Sequence, residues 1–281
     1  MLSFVSPNSL RLMGRVVPQV SSSSSLTNQP MGSVVVCRRH FRGSMGKDKP
    51  LSSSLLETPK YMREVYTFWY RTEKNVSFLD KESVVNTLLW GHADLLEGTV
   101  VSMIKPGDRI MQTGATYGEL TTKSSKAVGP NGLFDCIDIT PLQVDLHTRK
   151  LKNFPQARVR QANVIDPQLP NEDNYDLTYS FMLFHELPTE YKSKAANAIL
   201  KSLKPDGKAL FIDYHKPSFF PLWTYLTTIF TVFEPFGFEM YKKDFWEFGD
   251  KDISSQFDWK KRTIFFDMFQ IVEATRKQGP K

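Results

Sequence analysis

Apolar residues recur at helical spacing from Glu57 to Tyr70 and again from Lys81 to Val101, with Tyr66, Trp69 and Tyr70 on the first stretch and Val84, Val85, Leu88, Leu89, Leu95 and Leu96 on the second. This pattern predicts helices ahead of the main fold. From Lys105 the texture changes to short apolar runs alternating with longer amphipathic stretches, the mark of strand–helix units and a parallel sheet. The predicted order is strand Asp108–Gln112, helix Tyr117–Val128, strand Leu133–Asp138, helix Pro141–Lys152, strand Ala157–Ala162, strand Tyr175–Phe184, helix Glu190–Leu203 and strand Lys208–Tyr214. The runs Gly129-Pro130-Asn131-Gly132 and Pro205-Asp206-Gly207 supply the turns between neighbours. Five strands with intervening helices give an α/β fold, a Rossmann-like, doubly wound and mostly parallel sheet with helices at its N-terminal side.

After Tyr214 the rhythm breaks. Residues Pro217 to Phe233 form seventeen positions without a formal charge, rich in aromatic side chains. Two prolines and the closing Glu234-Pro235 leave this stretch short of the roughly 20 apolar residues that a membrane span requires. An aromatic, amphipathic helix lying in a membrane interface and a helix capping the core both fit it. The expected organisation is therefore a targeting segment over 1–46, a helical cap over 47–104, the core over 105–216, and an interfacial helix with a C-terminal extension over 217–281.

Charge supports that division. The formal net charge is +6, yet residues 1–46 hold Arg11, Arg15, Arg38, Arg39 and Arg42 with no Asp, Glu or Lys, and without them 31 basic residues face 30 acidic ones. A nearly neutral body argues against a surface that tracks phosphates, so no nucleic-acid partner is expected. The Ser-rich, Arg-spaced, acid-free start has the composition of an organelle transit peptide or of a disordered tail. Cys37 and Cys136 are the two cysteines, too few for a disulfide framework or a cysteine zinc site.

The chemistry concentrates where strands end. Directly after the first strand comes Gln112-Thr113-Gly114-Ala115-Thr116-Tyr117-Gly118, a turn that brings backbone close to a ligand and aims helix N–H groups at its charged end. Asp138 closes the second strand, where a carboxylate can accept both hydroxyls of a ribose. His185-Glu186 follows the fourth strand, and Asp213, Tyr214 and His215 end the fifth, so imidazole and carboxylate gather at one edge of the sheet. His185 and Glu186 can ligate a divalent metal, and His185, Asp213 and His215 can supply an acid and a base. Tyr66, Trp69 and Tyr70, with Trp90, are candidates to stack on a flat substrate or to pack in the core.

This order resembles the class I S-adenosylmethionine-dependent methyltransferases, whose first loop reads acid-x-Gly-x-Gly-x-Gly. The likeness implies that Gly114, Thr116, Tyr117 and Gly118 flank the methionine moiety, that Asp138 and Ile139 hold the ribose, and that Asn163 and Val164 border the adenine. Gln112 stands where the acid is expected, and Thr116 replaces the middle glycine. Within that superfamily the stretches Gln112 to Glu119, Asp138 to Val144, Leu183 to Pro188 and Phe211 to Pro217 resemble the rhodoquinone biosynthesis family RquA, itself similar to quinone methyltransferases.

The resemblance implies conversion of ubiquinone to rhodoquinone, a ring methoxy group being replaced by an amino group drawn from S-adenosylmethionine with manganese assisting. It also implies a peripheral position on the matrix face of the mitochondrial inner membrane. A neutral Gln112 would leave the donor's amine without an anchoring charge, so that its proton is lost more easily. Two alternatives remain: a quinone or phenol methyltransferase of the same fold, and a non-catalytic protein of that fold which assembles a respiratory complex.

Overall fold

The computed structural model describes residues 58–65, 73–166 and 175–277. Four short helices come first: α1 (Lys60–Val65), α2 (Glu73–Leu79), α3 (Glu82–Leu88) and α4 (Ala93–Ser102). Then follow β1 (Arg109–Thr113), α5 (Leu120–Val128), β2 (Leu133–Asp138), α6 (Pro141–Lys150), β3 (Ala157–Gln161), β4 (Tyr175–Phe181), a 3-10 turn over Phe184–Glu186, α7 (Thr189–Lys201) and β5 (Leu203–Tyr214). The chain continues through α8 (Phe220–Val232), a second 3-10 turn (Gly237–Tyr241), α9 (Phe245–Phe248), α10 (Lys251–Ser254), β6 (Phe257–Ile264) and β7 (Phe269–Arg276). Tyr66, Trp69 and Tyr70 lie outside the described residues.

The described strands form one seven-stranded sheet in the order β3-β2-β1-β4-β5-β7-β6. The first five are parallel, and β7 pairs antiparallel with both β5 and β6. The strand order reverses between β1 and β4, which opens a crevice at their carboxyl ends. Successive residues point to opposite faces: Leu210 and Ile212 of β5 join the cluster that includes Leu96, Leu120, Leu226 and Phe230, whereas Ala209 and Phe211 join Ala195, Ile199 and Phe245. Helices thus cover both faces of the sheet.

The sheet departs from expectation in three places. It extends past residue 216, because β6 and β7 come from the segment expected to be an extension. Pro205-Asp206-Gly207 does not separate a helix from a strand but lies inside β5, where the register with β4 shifts between Tyr175 and Leu177 and a bulge absorbs the proline. Helix α5 starts at Leu120 rather than Tyr117, since Gly118 adopts a φ of 84° that no helix accommodates.

Helix α8 buries Leu222, Leu226 and Phe230 at i, i+4 and i+8 and leaves its opposite side exposed, so it caps the core along one stripe. Among the described residues no helix is long and apolar enough to cross a membrane.

Candidate active site

At the carboxyl ends of β1, β2 and β4 the structure encloses a cavity of about 550 Å³, a volume suited to a cofactor with part of a second molecule. Its floor is the loop after β1. Gly114 has a φ of 77°, and a Cβ there would lie 3.1 Å from Leu183, so only glycine lets the β1 and β4 loops approach this closely. Gly118 is confined in the same way by Val85. The loop is latched from two sides: the Gly118 N–H donates to Asp80 (3.0 Å), and Lys150 donates to Asp80 (2.8 Å) and to the Gly118 carbonyl. His147 donates from Nε2 to the Thr116 carbonyl (2.9 Å); burial, with Lys150 nearby, lowers its pKa to about 3 and keeps the ring neutral.

Asp138 stands at the cavity wall. Its two oxygens accept the backbone N–H groups of Ala115 (2.8 Å) and Thr140 (2.6 Å), which fixes the carboxylate plane and leaves lone pairs directed into the cavity. Burial raises its pKa to about 6 despite those bonds. Thr116, Tyr117, Ile139, Asn163 and Val164 line the same space. The Asn163 side-chain oxygen accepts the Ile165 N–H (3.2 Å), an Asx turn that shapes the bend after β3.

Opposite lies a second polar group. His185 donates from Nδ1 to Asp213 (2.7 Å), and Asp213 also accepts the N–H groups of Phe184 (2.7 Å) and Tyr214 (2.7 Å). That bond fixes the imidazole orientation and leaves Nε2 for the cavity. Burial opposes the imidazolium, but the charge and hydrogen bond of Asp213, helped by Glu234 and Glu186, outweigh it and raise His185 to about 9. The Tyr214 ring lies 4.8 Å from that of His185, and burial pushes its hydroxyl pKa upward. One ligand atom each from His185, Glu186 and Glu234 lies within 4.8 Å of the others, one nitrogen and two carboxylate oxygens.

Similarity to known proteins falls on this same region. Residues 110–207 match the family model described as "Methyltransferase domain". A TehB-like S-adenosylmethionine-dependent methyltransferase from Corynebacterium glutamicum superposes with a TM-score of 0.51 at 15% identity, covering 73% of this chain and all of that one. An O-methyltransferase family protein from Burkholderia thailandensis gives a TM-score of 0.55 at 11% identity, covering 76% and 63%. This is the class I methyltransferase fold. In sequence, the ubiquinone/menaquinone biosynthesis C-methyltransferase UbiE of Vibrio cholerae is 33% identical over 123 residues, 42% of this chain; the chain thus spans less than half (45%) of that relative's length.

Within this methyltransferase fold some expected site residues fall elsewhere. Gln112 does not line the cavity: its Nε2 donates to the Gly114 carbonyl (3.1 Å) and the Thr116 hydroxyl (3.1 Å), and its Oε1 accepts from Tyr179 (2.7 Å), so the amide braces the loop from beneath. Gly118 shapes the loop without reaching the cavity. His215 turns toward the Asp267 carbonyl (3.0 Å) beside the β6–β7 turn, away from His185, and burial lowers its pKa. Asp213 sits behind His185 and positions it. Trp90 packs against Tyr225 at 5.0 Å, outside the cavity lining.

The structure adds residues that local pattern did not expose. Tyr61 of α1 lines the cavity, where burial and the nearby charge of Glu186 raise its pKa. Tyr225 and Ile229 of α8, with Phe233 just beyond its end, form part of the wall, next to Glu234. His147 and Asp80 hold the loop across long sequence separations, which no short motif reveals.

Proposed function

We propose that this chain binds S-adenosylmethionine across the ends of β1 to β4 and modifies the ring of an isoprenoid quinone, transferring the donor's methyl group to a ring carbon. The observation that carries this is the composition of the cavity, which Asp138, Asn163 and Val164 line together with His185, Tyr214, Tyr225 and Phe233. The sequence similarity to a quinone C-methyltransferase supports the same substrate class.

In this reading a reduced quinone places a ring oxygen at His185. The imidazolium donates to that oxygen and stabilises it as an oxyanion, which makes the adjacent carbon nucleophilic. That carbon attacks the sulfonium methyl; a C–C bond forms, the C–S bond breaks to leave S-adenosylhomocysteine, and the ring carbon passes its proton to a lining carboxylate, Glu186 or Glu234. Apolar walls exclude water and strengthen the hydrogen bond.

A second reading, exchange of a ring methoxy group for the donor's amine, is favoured by the His185, Glu186 and Glu234 group. One nitrogen and two carboxylates suit a divalent first-row ion such as manganese, and Asp213 behind His185 is the carboxylate partner that metal-binding imidazoles usually have. Such an ion would polarise a quinone carbonyl as a Lewis acid. In either reading we place the enzyme on the matrix face of the mitochondrial inner membrane; methyl transfer takes a quinone of the ubiquinone type that still has an unsubstituted ring carbon, and amination takes ubiquinone itself.

Incubation with S-adenosylmethionine and either reduced ubiquinone analogues that carry a free ring position or oxidised ubiquinone analogues that carry the methoxy groups, each with and without manganese, followed by mass spectrometry of the quinone, tests both chemistries. Methyl transfer adds one methylene mass and releases S-adenosylhomocysteine; amination removes a methoxy group and adds nitrogen. An unaltered quinone under every condition would refute both.

A further inference from the structure

The turn between β6 and β7 is built against conformational preference. Phe265, Phe266 and Asp267 have φ of 50°, 51° and 63°, the left-handed region where hairpins ordinarily place Asn or Gly and where a bulky side chain is strained. The strain is held in place by backbone bonds from the segment that leads into α8: Ser218 N–H to the Phe266 carbonyl (2.9 Å) and His215 N–H to the Met268 carbonyl (2.8 Å). What this displays is aromatic surface. Phe266 is 58% exposed and packs at 5.1 Å on Phe219, itself 46% exposed, beside Phe220 at 71%. From the turn a chain of ring contacts runs through Phe265 and Trp90 to Tyr225, a wall of the cavity.

The outer face of α8 is prepared for an apolar surrounding. It carries no formal charge, and its exposed threonines donate inward to the helix, Thr224 to the Phe220 carbonyl (3.1 Å), Thr228 to Thr224 (2.8 Å) and Thr231 to Thr227 (2.8 Å). A hydroxyl already bonded to the helix loses little when water is removed. The exposed charges flanking the patch in sequence, Lys216 and Arg262, are positive, and Asp267 is engaged by the Thr263 and Ser218 hydroxyls.

We propose that the Phe265–Phe266 turn and the start of α8 form a rigid wedge that seats in the interface of an anionic bilayer and holds the cavity mouth against it. Aromatic rings favour the headgroup boundary, and the cations complement anionic headgroups. Its link to catalysis rests on the tailed-quinone reading, since the tail would stay in the bilayer while the ring enters beside Tyr225.

The test is co-sedimentation of the full chain with phosphatidylcholine vesicles, with and without phosphatidylglycerol, for wild type and for Phe266→Asn with Phe220→Ser. Asn relieves the turn, so the double variant should melt no lower than wild type. Its partitioning should fall about tenfold or more, because two of the exposed rings that would enter the interface are gone. Wild-type binding should strengthen with phosphatidylglycerol. Undiminished partitioning of the variant, absence of wild-type binding, or a wild-type dimer in light scattering that the variant dissolves would each overturn the wedge. Vesicle binding without any altered quinone would instead sink the functional reading and leave the wedge standing.

Discussion

Gln112 shows how a residue's environment decides its meaning. By position it is the loop's missing acid; by contact it is a strut whose three polar contacts all go to protein groups. A glutamate there would face the Gly114 carbonyl with an oxygen in place of a donor. Gln112→Glu should therefore destabilise the fold by roughly 1–3 kcal/mol, the usual cost of an unmatched buried polar group, with a lowered melting temperature and weakened S-adenosylmethionine binding. An unchanged melting point with altered reaction products would return the residue to an electronic role. His185 and Asp138 make a paired prediction. With His185 raised to about 9 and Asp138 to about 6, the working state is a charged imidazole and an ionised carboxylate. The kcat/KM profile should fall below about pH 6 as Asp138 takes a proton and weakens its hold on hydroxyls, and above about pH 9 as His185 loses one. Asp213→Asn should move the alkaline limb to lower pH. A flat profile from 6 to 10 would exclude His185 from the reaction.

Among the elements, α7 supplies a clamp. The Lys192 ammonium is fully buried and donates to the Leu187 carbonyl (2.7 Å), the Phe236 carbonyl (2.6 Å) and Glu239 (3.2 Å). Leu187 follows His185 and Glu186, and Phe236 follows Glu234, so one cation joins the two segments whose side chains converge in the cavity. Lys192→Met fills the same space but strands three acceptors. It should lower stability and shift the alkaline limb of the pH profile down, because Glu234 no longer holds its place beside His185; thermal melting combined with pH-dependent kinetics checks both. The clamp was invisible in sequence, where Lys192 reads as one more helix lysine. Strands β1 to β5 were legible because short apolar runs alternate there with longer amphipathic helices. By contrast β6 alternates Lys260 and Arg262 outward on the sheet edge, and β7 follows a turn made of Phe-Phe-Asp instead of a glycine signal, so neither announced itself. The loop glycines, Asp138 and the His185–Asp213 association followed from strand ends, whereas Asp80, His147, Tyr61 and Glu234 arrive from elements distant in the chain and need the fold to be seen.

At the scale of the whole molecule, helices cover both faces of a sheet whose carboxyl edge holds a cavity of mixed polar and apolar lining, and α8 serves core and surface together, burying Leu222, Leu226 and Phe230 on one side while offering rings on the other. The order of the strands has a further consequence for how this protein folds. Strand β7, the last described, lies inside the sheet between β5 and β6, so the edge of β5 stays bare until residues 269–276 have folded back onto it. That edge is a template for pairing with other chains, and a chain cut before Phe269 would leave the backbone groups of β5 without the partner that covers them.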